Sequence, residues 1–262
     1  MAEIAKTTIQ DGVLEILFDR PPVNAIDGAT SRRLGEVFDQ YRRDDSLQCA
    51  IITAPGDRIF SAGWDLKAAA QKGENEDEDW GVGGFAGITQ MFNLYKPVIA
   101  AVNGRAIGGG FEIALGCDII IAAENADFSL PEALRGVTAD AGGLQVLPRR
   151  IPMNIAMELL LTGRRMDAAE AHKWGLVNKV VPRAALMDTA RAMAREIAEG
   201  APLTLQATKE VVRGIDGMSV RDAYRMIKEK RFPVHARMLV SEDHIEGPRA
   251  FAEKRKPVWK GR

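Results

Sequence analysis

The chain has few of the residues that build metal sites or disulfide frameworks. Its 262 residues include two cysteines and three histidines. Cys49 and Cys117 lie in separate apolar segments, which favours buried, reduced thiols over a disulfide. His172, His235 and His244 are too widely spaced for a metal-ligand motif. We therefore expect neither a disulfide framework nor a resident metal ion.

The chain also lacks a charge excess and a long apolar segment at its start. Its formal net charge is −1, which provides no general attraction to nucleic acid or to an anionic membrane. The first twelve residues, MAEIAKTTIQDG, contain neither a signal-peptide core nor a membrane span. We predict a cytoplasmic protein that binds neither nucleic acid nor membranes.

Hydrophobic residues, at 46%, are abundant enough for a sizeable core. Short apolar runs typical of buried strands alternate with helical patterns, and this order predicts an α/β fold with a mainly parallel sheet. The predicted strands are 3–9 and 12–19, paired as a hairpin, then 49–54, PVIAAV, CDIIIAA, ADFSL and LVNKVVP. From Arg183 onward the pattern is helical, with breaks expected near Pro202, Gly214–Gly217, Pro233 and Gly247-Pro248.

Three consecutive glycines, Gly108, Gly109 and Gly110, separate the PVIAAV strand from a predicted helix. The free N–H groups at a helix N-terminus stabilise negative charge, and glycine allows a ligand to approach the backbone closely. The same glycines could instead serve only to pack the helix on the strand. A nucleotide phosphate loop is excluded because no lysine follows the glycines and the spacing is not GxGxxG.

Two glutamates lie among apolar or small residues: Glu112 early in that helix, and Glu132 directly after the ADFSLP segment. Burial raises the pKa of a carboxyl group, and two such groups in one pocket suit acid and base catalysis near neutral pH. Each glutamate alone could equally be a helix cap or a salt-bridge partner. The spacing between them does not determine their distance in space.

An acidic segment, GENEDEDWGVGG, runs from Gly73 to Gly84 and has five acids in six positions. Such a composition is poor material for a core and predicts a mobile surface loop. A loop of this length can also form a lid over a site.

Longer motifs identify a family. The segments FSAGWDLK, KPVIAAVNGRAIGGGFEIALGCD, FSLPEALRG, AGGLQVLPR and TGRRMDAAEAHKWGLVNKVV occur in this order. Together with the ending GPRAFAEKRKPVWKGR, they resemble the crotonase (enoyl-CoA hydratase/isomerase) superfamily over nearly the whole length. Within it, SAGWDLKAAA, GGFAGITQMFNLYKPVIAAVNG, SEDHIEGP and PVWKGR are most similar to the carnitinyl-CoA dehydratase (crotonobetainyl-CoA hydratase) branch.

The resemblance implies a ClpP/crotonase-like fold and assigns roles to four residues. The backbone N–H groups of Trp64 and Gly109 would form the oxyanion hole for the thioester oxygen. The residue matching Glu112 would activate water at Cβ, and the residue matching Glu132 would exchange the proton at Cα. No metal or redox cofactor is implied, since coenzyme A is part of the substrate.

The resemblance also predicts binding residues and an assembly. Ala62, Lys67 and Lys254 match positions that bind CoA, and Trp80 and Phe85 are candidates for binding a trimethylammonium head group. Family members form trimers or dimers of trimers. We therefore predict a crotonase core over 1–200 and a helical oligomerisation region over 201–262.

Asp140 departs from the usual family pattern, which has glycine there and proline at Ala139. Members that shift double bonds in dienoyl-CoA substrates have an acid at this point. We expect Asp140 to be the N-cap of a helix opening at Ala141. If it instead reaches the pocket, it could be an accessory acid for isomerisation or could recognise a cationic substrate.

The resemblance favours reversible dehydration of L-carnitinyl-CoA to crotonobetainyl-CoA. A short-chain enoyl-CoA hydratase and an enoyl- or dienoyl-CoA isomerase are alternative enzymes. A catalytically silent acyl-CoA-binding protein is a non-enzymatic alternative, which the presence of both glutamates disfavours.

Overall fold

The computed structural model describes residues 4–72 and 79–262. Its strands are β1 (Ala5–Gln10), β2 (Val13–Phe18), β3 (Ala25–Ile26), β4 (Cys49–Thr53), β5 (Ile59–Ser61), β6 (Gly63–Trp64), β7 (Val98–Val102), β8 (Arg105–Ile107), β9 (Ile119–Ala123), β10 (Asp127–Ser129), β11 (Met166–Asp167) and β12 (Lys179–Val181). Its helices are α1 (Gly28–Arg43), α2 (Leu66–Lys72), α3 (Gly109–Gly116), α4 (Gly143–Arg150), α5 (Met153–Thr162), α6 (Ala168–Lys173), α7 (Leu186–Ala198), α8 (Pro202–Gly214), α9 (Val220–Lys228), α10 (Pro233–Met238) and α11 (Glu242–Ala252).

The main sheet has six strands in the order β1-β2-β4-β7-β9-β12. Only the β1–β2 hairpin is antiparallel, and each later pair is parallel, which confirms the predicted α/β class. Strands β4 and β7 are buried along their whole length because both faces of the sheet are covered. Helix α7 covers one face, and the larger core lies on the other.

A second sheet, in the order β11-β10-β8-β5, and the two-stranded pair β3–β6 complete the core. The sequence analysis did not predict β3, β5, β6, β8 and β11. Each is two or three residues long, too short for an alternating hydrophobic pattern to show. These short strands nevertheless position the predicted oxyanion-hole residues. Strand β6 ends at Trp64, and β8 leads into the glycine turn, which consists of Gly108, Gly109 and Gly110.

The C-terminal segment confirms most of the helical prediction, since α8 and α10 begin at Pro202 and Pro233. The break expected at Gly247-Pro248 is wrong, because α11 continues through Pro248. Ser241 caps α11 by accepting the N–H of His244, and proline removes only one backbone hydrogen bond from the helix. The division into a core and an oligomerisation region stays a prediction.

No helix within the described ranges is long and apolar enough to span a membrane. Those ranges also contain no group of three or more His, Cys, Asp or Glu side chains arranged to hold a metal ion.

Candidate active site

The glycine turn and strand β6 touch each other through their backbones. Gly108 has a φ of 53° and is the N-cap of α3, so Gly109 and Gly110 occupy its first turn. A Cβ built on Gly63 would lie 2.7 Å from the amide nitrogen of Gly109. Because the first amides of a helix have no acceptor within it, the Gly109 N–H is available to a ligand beside Trp64.

Arg20 links β3 and β6, the strand pair that carries Trp64, through hydrogen bonds. The sequence analysis did not identify this arginine. Its guanidinium donates to Asp65 Oδ2 at 2.9 Å, to Asp27 Oδ2 at 2.9 Å and to the Ala25 carbonyl at 2.7 Å. Asp27 caps α1, and Asp65 directly follows Trp64. Arg20 therefore joins β3 to the end of β6.

Glu112 is buried, with 4% of its surface exposed, in the first turn of α3. Its Oε1 accepts the N–H of Gly143 at 2.9 Å, at the first turn of α4. Burial raises the pKa of Glu112 to about 8, the Gly143 N–H opposes that shift, and the charges of Glu132 and Asp140 add to it. The group can hold a proton at neutral pH.

Glu132 begins a short 3-10 turn directly after Pro131. Its Oε1 fills the space beside Gly108, 2.6 Å from the position that a Cβ there would take. Burial, and then the charge of Asp140, raises the pKa of Glu132. Its Oε2 is buried and has no hydrogen-bond partner in the described structure. A buried polar atom without a partner lowers the stability of the fold, and such atoms are often found at functional sites.

These groups line one cavity. Its described lining consists of Trp64, Trp80, Phe85, Gln90, Gly109, Glu112, Glu132, Val137, Thr138, Asp140 and Ala141. The two predicted catalytic glutamates, both predicted oxyanion-hole residues and both aromatic candidates are therefore brought together. Gln90, Val137 and Thr138 were not predicted. Gln90 lies in the quoted GGFAGITQMFNLYKPVIAAVNG segment, which assigned it no role, and Val137 and Thr138 lie outside every quoted motif.

The expectation that Asp140 is a helix N-cap is wrong. Helix α4 begins at Gly143, and its N-cap is Gly142, with a φ of 139° and no side-chain cap. Asp140 instead lies in the preceding turn, where its carbonyl oxygen accepts from Gln145 Nε2 at 2.6 Å. Its exposed side chain lines the cavity.

The aromatic wall of the cavity consists of Trp80, which lies within the acidic segment, and Phe85, which directly follows it. Residues 73–78 of the predicted 73–84 loop lie outside the described residues. Residues 79–84 pack on α1, where Arg32 donates to the Asp79 carbonyl at 2.6 Å. The Trp80 and Phe85 rings meet edge to face at 5.2 Å between centroids. This described half is packed on α1, and the mobility of the loop stays a prediction.

The predicted CoA-binding residues lie apart from this cavity lining. Ala62 follows β5, and its N–H donates to the Val23 carbonyl at 3.0 Å. Lys67 is exposed on α2, and Lys254 is exposed just after α11. Their roles stay predictions.

Comparison with known proteins identifies the family of this chain. The enoyl-CoA hydratase/isomerase family model matches residues 8–262. Carnitinyl-CoA dehydratases from Proteus mirabilis (strain HI4320) and Escherichia coli (strain K12) are 53% and 54% identical over 262 residues, 100% of both chains in each case.

Solved structures of other proteins are similar to this chain in both fold and sequence. An enoyl-CoA hydratase from Mycobacterium tuberculosis H37Rv matches with a TM-score of 0.90 and 39% identity, covering 99% of this chain and 100% of that one. A carnitinyl-CoA hydratase from Mycobacterium avium matches with a TM-score of 0.76 and 44% identity over 100% of both chains. The crotonase-like fold is confirmed, and the chain belongs to the enoyl-CoA hydratase/isomerase family.

Proposed function

We propose that this protein is a hydro-lyase that reversibly converts L-carnitinyl-CoA into crotonobetainyl-CoA and water. The observation that carries the proposal is the placement of Glu112 and Glu132, both with raised pKa values, on one cavity with the Gly109 N–H. The relatives at 53% and 54% identity are named carnitinyl-CoA dehydratases, which supports carnitinyl as the acyl group.

In the proposed dehydration, the Glu132 carboxylate removes the proton from Cα. Negative charge then develops on the thioester oxygen, which accepts hydrogen bonds from the backbone N–H groups of Gly109 and Trp64. Glu112, in its acid form, gives its proton to the hydroxyl group leaving Cβ, and water departs as the double bond forms. Hydration runs through the same steps in reverse, and proton exchange with solvent resets the two carboxyl groups.

Trp80 and Phe85 are proposed to contact the trimethylammonium head, since aromatic faces attract such cations. Lys67 and Lys254 are proposed to bind the CoA phosphates, with Lys254 serving the site of a neighbouring subunit, and Ala62 is proposed to contact CoA. The reaction is proposed to need no cofactor beyond the CoA of its substrate. A cytoplasmic location remains a prediction.

Parallel assays of crotonobetainyl-CoA, crotonyl-CoA and a dienoyl-CoA test the proposed acyl group. We expect the highest kcat/KM for crotonobetainyl-CoA, because the cavity joins carboxyl groups with aromatic rings. Equal or faster turnover of crotonyl-CoA would point to a general short-chain hydratase. Double-bond migration without water addition would point to an isomerase, and no turnover of any substrate would point to a silent binding protein.

The rate of dehydration is expected to depend on pH through both glutamates. Above about pH 8, Glu112 loses the proton that the leaving hydroxyl group needs, so kcat/KM should fall. At low pH, Glu132 gains a proton and can no longer act as the base, so kcat/KM should fall there too. Because the two groups interact, the measured values belong to the pair. A flat profile between pH 5 and 10 would contradict these roles.

The helical C-terminal region is proposed to form a trimer or a dimer of trimers. It exposes large apolar side chains that a monomer would leave in water, including Val212, Tyr224, Val240, Ile245 and Phe251. We expect light scattering coupled to size exclusion to give three or six times the chain mass. A monomer at micromolar concentration would contradict the proposal.

A further inference from the structure

The cavity is lined by acidic side chains that no basic side chain of its described lining balances. Its described lining has three carboxyl groups, those of Glu112, Glu132 and Asp140, and no lysine, arginine or histidine. Glu112 and Glu132 are accounted for by the proposed proton transfers. Asp140 has no assigned partner, because no hydrogen bond or ion pair engages its side chain in the described part of the chain. An acid placed there makes both neighbouring glutamates harder to ionise.

A cationic acyl group would remove this imbalance. In carnitinyl-CoA, one methylene group separates Cβ from the quaternary nitrogen, so the head group must lie close to the carboxyl groups that act at Cα and Cβ. Asp140 meets this requirement, since it lines the same cavity as Glu112 and Glu132. The edge-to-face pair of Trp80 and Phe85 on the same cavity provides the apolar, π-rich surface that quaternary ammonium groups prefer.

We propose that Asp140 is the specificity-determining residue of this site, and that its carboxylate is the counter-ion of the quaternary ammonium head of the substrate. The proposal rests on the function proposed above and adds a residue to it. The head group completes the charge balance of the cavity, so a cationic substrate binds beside the glutamate pair at less electrostatic cost than a neutral substrate. Asp140 itself takes no part in the proton transfers.

The test compares substrates that have the same shape and differ in charge. Crotonobetainyl-CoA is paired with 5,5-dimethylhex-2-enoyl-CoA, in which carbon replaces the quaternary nitrogen. We expect Asp140→Asn to lower the ratio of kcat/KM between the cationic and the neutral substrate about 10-fold. Asp140→Glu should restore much of the ratio, and Trp80→Ala should lower it in the same direction. Asp188→Asn, an exposed position on α7, is the matched control and should leave the ratio unchanged.

A binding measurement separates this proposal from the proposed function. Calorimetry with butyrobetainyl-CoA and 5,5-dimethylhexanoyl-CoA, which are saturated and cannot be hydrated, reports the charge preference without turnover. If the wild-type protein hydrates the neutral substrate but not the cationic one, the proposed function is wrong, whatever Asp140 does. If Asp140→Asn changes both substrates equally, or abolishes only dienoyl-CoA isomerisation, the specificity role is overturned.

Discussion

Glu112→Gln and Glu132→Gln are each expected to lower kcat for dehydration of carnitinyl-CoA by about 10²- to 10⁴-fold, the usual contribution of a positioned acid or base. Glutamine keeps the shape of the side chain but cannot exchange a proton. At position 112 its carbonyl oxygen can still accept the Gly143 N–H, so the loss reports proton transfer and not a lost hydrogen bond. Steady-state kinetics with both variants measures the effect.

Glu210→Gln is the matched control for these two variants. Glu210 is a buried glutamate on α8 that accepts the N–H of His235 at 2.9 Å and does not line the cavity. Its replacement should leave kcat nearly unchanged. If Glu112→Gln and Glu132→Gln also keep most of the activity, the proposed mechanism is wrong.

The stability of Glu112→Gln gives an independent check that the variant is folded and that the pKa shift is present. The folded protein holds the Glu112 proton up to about pH 8, whereas the unfolded chain releases it near the ordinary value of 4.5. The free energy of unfolding of the wild-type protein therefore falls as pH rises through this window. Glutamine does not titrate, so the free energy of unfolding of the variant lacks this fall. Relative to the wild-type protein, the variant should therefore become more stable by a few kcal/mol as pH rises from 4.5 to 8. Denaturant titrations at both ends of the window measure the difference.

Gly109→Ala is expected to lower kcat by about 10²- to 10³-fold, the loss typical of removing one oxyanion-hole donor. A Cβ on Gly109 would overlap the ring of Phe85, and Gly63 lies directly beside it. The Phe85 ring is buried and packed on Trp80, so we expect part of the shift that relieves the overlap to fall on the Gly109 backbone, which moves the N–H away from the thioester oxygen. The effect should fall mainly on kcat, because the developing charge is greatest in the transition state.

Gly116→Ala, at the other end of α3, is the control for the glycine substitution. The nearest atom to a Cβ there would be in the side chain of Ile88, at 3.2 Å, so the helix can accept it with a small adjustment. We expect near wild-type kinetics from this variant. Equal losses in Gly109→Ala and Gly116→Ala would mean that general helix damage explains the result.

Much of the parallel core was predictable from sequence because buried parallel strands leave continuous apolar runs such as CAIIT and VIAAV. The site was less accessible to residue patterns alone. Glu112 and Glu132 were identified individually, but local spacing could not bring them to one cavity, and the family resemblance supplied that pairing. Arg20 acts through Asp27 and Asp65, and no pattern along the chain links an arginine to an aspartate 45 residues away.

The Asp140 error has a specific cause. Asp-Ala-Gly-Gly before a helical pattern is a common helix start, and an aspartate there is normally a cap. The actual cap is Gly142, whose φ of 139° is accessible to glycine and rarely to other residues. The helix thus starts two residues later than predicted, and the aspartate carboxylate is left free to face the cavity. Backbone conformation, which residue patterns do not reveal, decided this assignment.

The attachment of the aromatic wall to α1 has a consequence for protein engineering. Gly83 and Gly87 meet backbone to backbone, and Gly87 in turn sits on Gly35 of α1, so that a Cβ on either Gly83 or Gly87 would overlap main-chain atoms. The Ala86 N–H also donates to the buried Ser31 hydroxyl at 3.0 Å. A graft of the Trp80–Gly87 segment into a related enzyme would therefore have to bring Gly35 and Ser31 with it, because the recipient helix must offer the same surface.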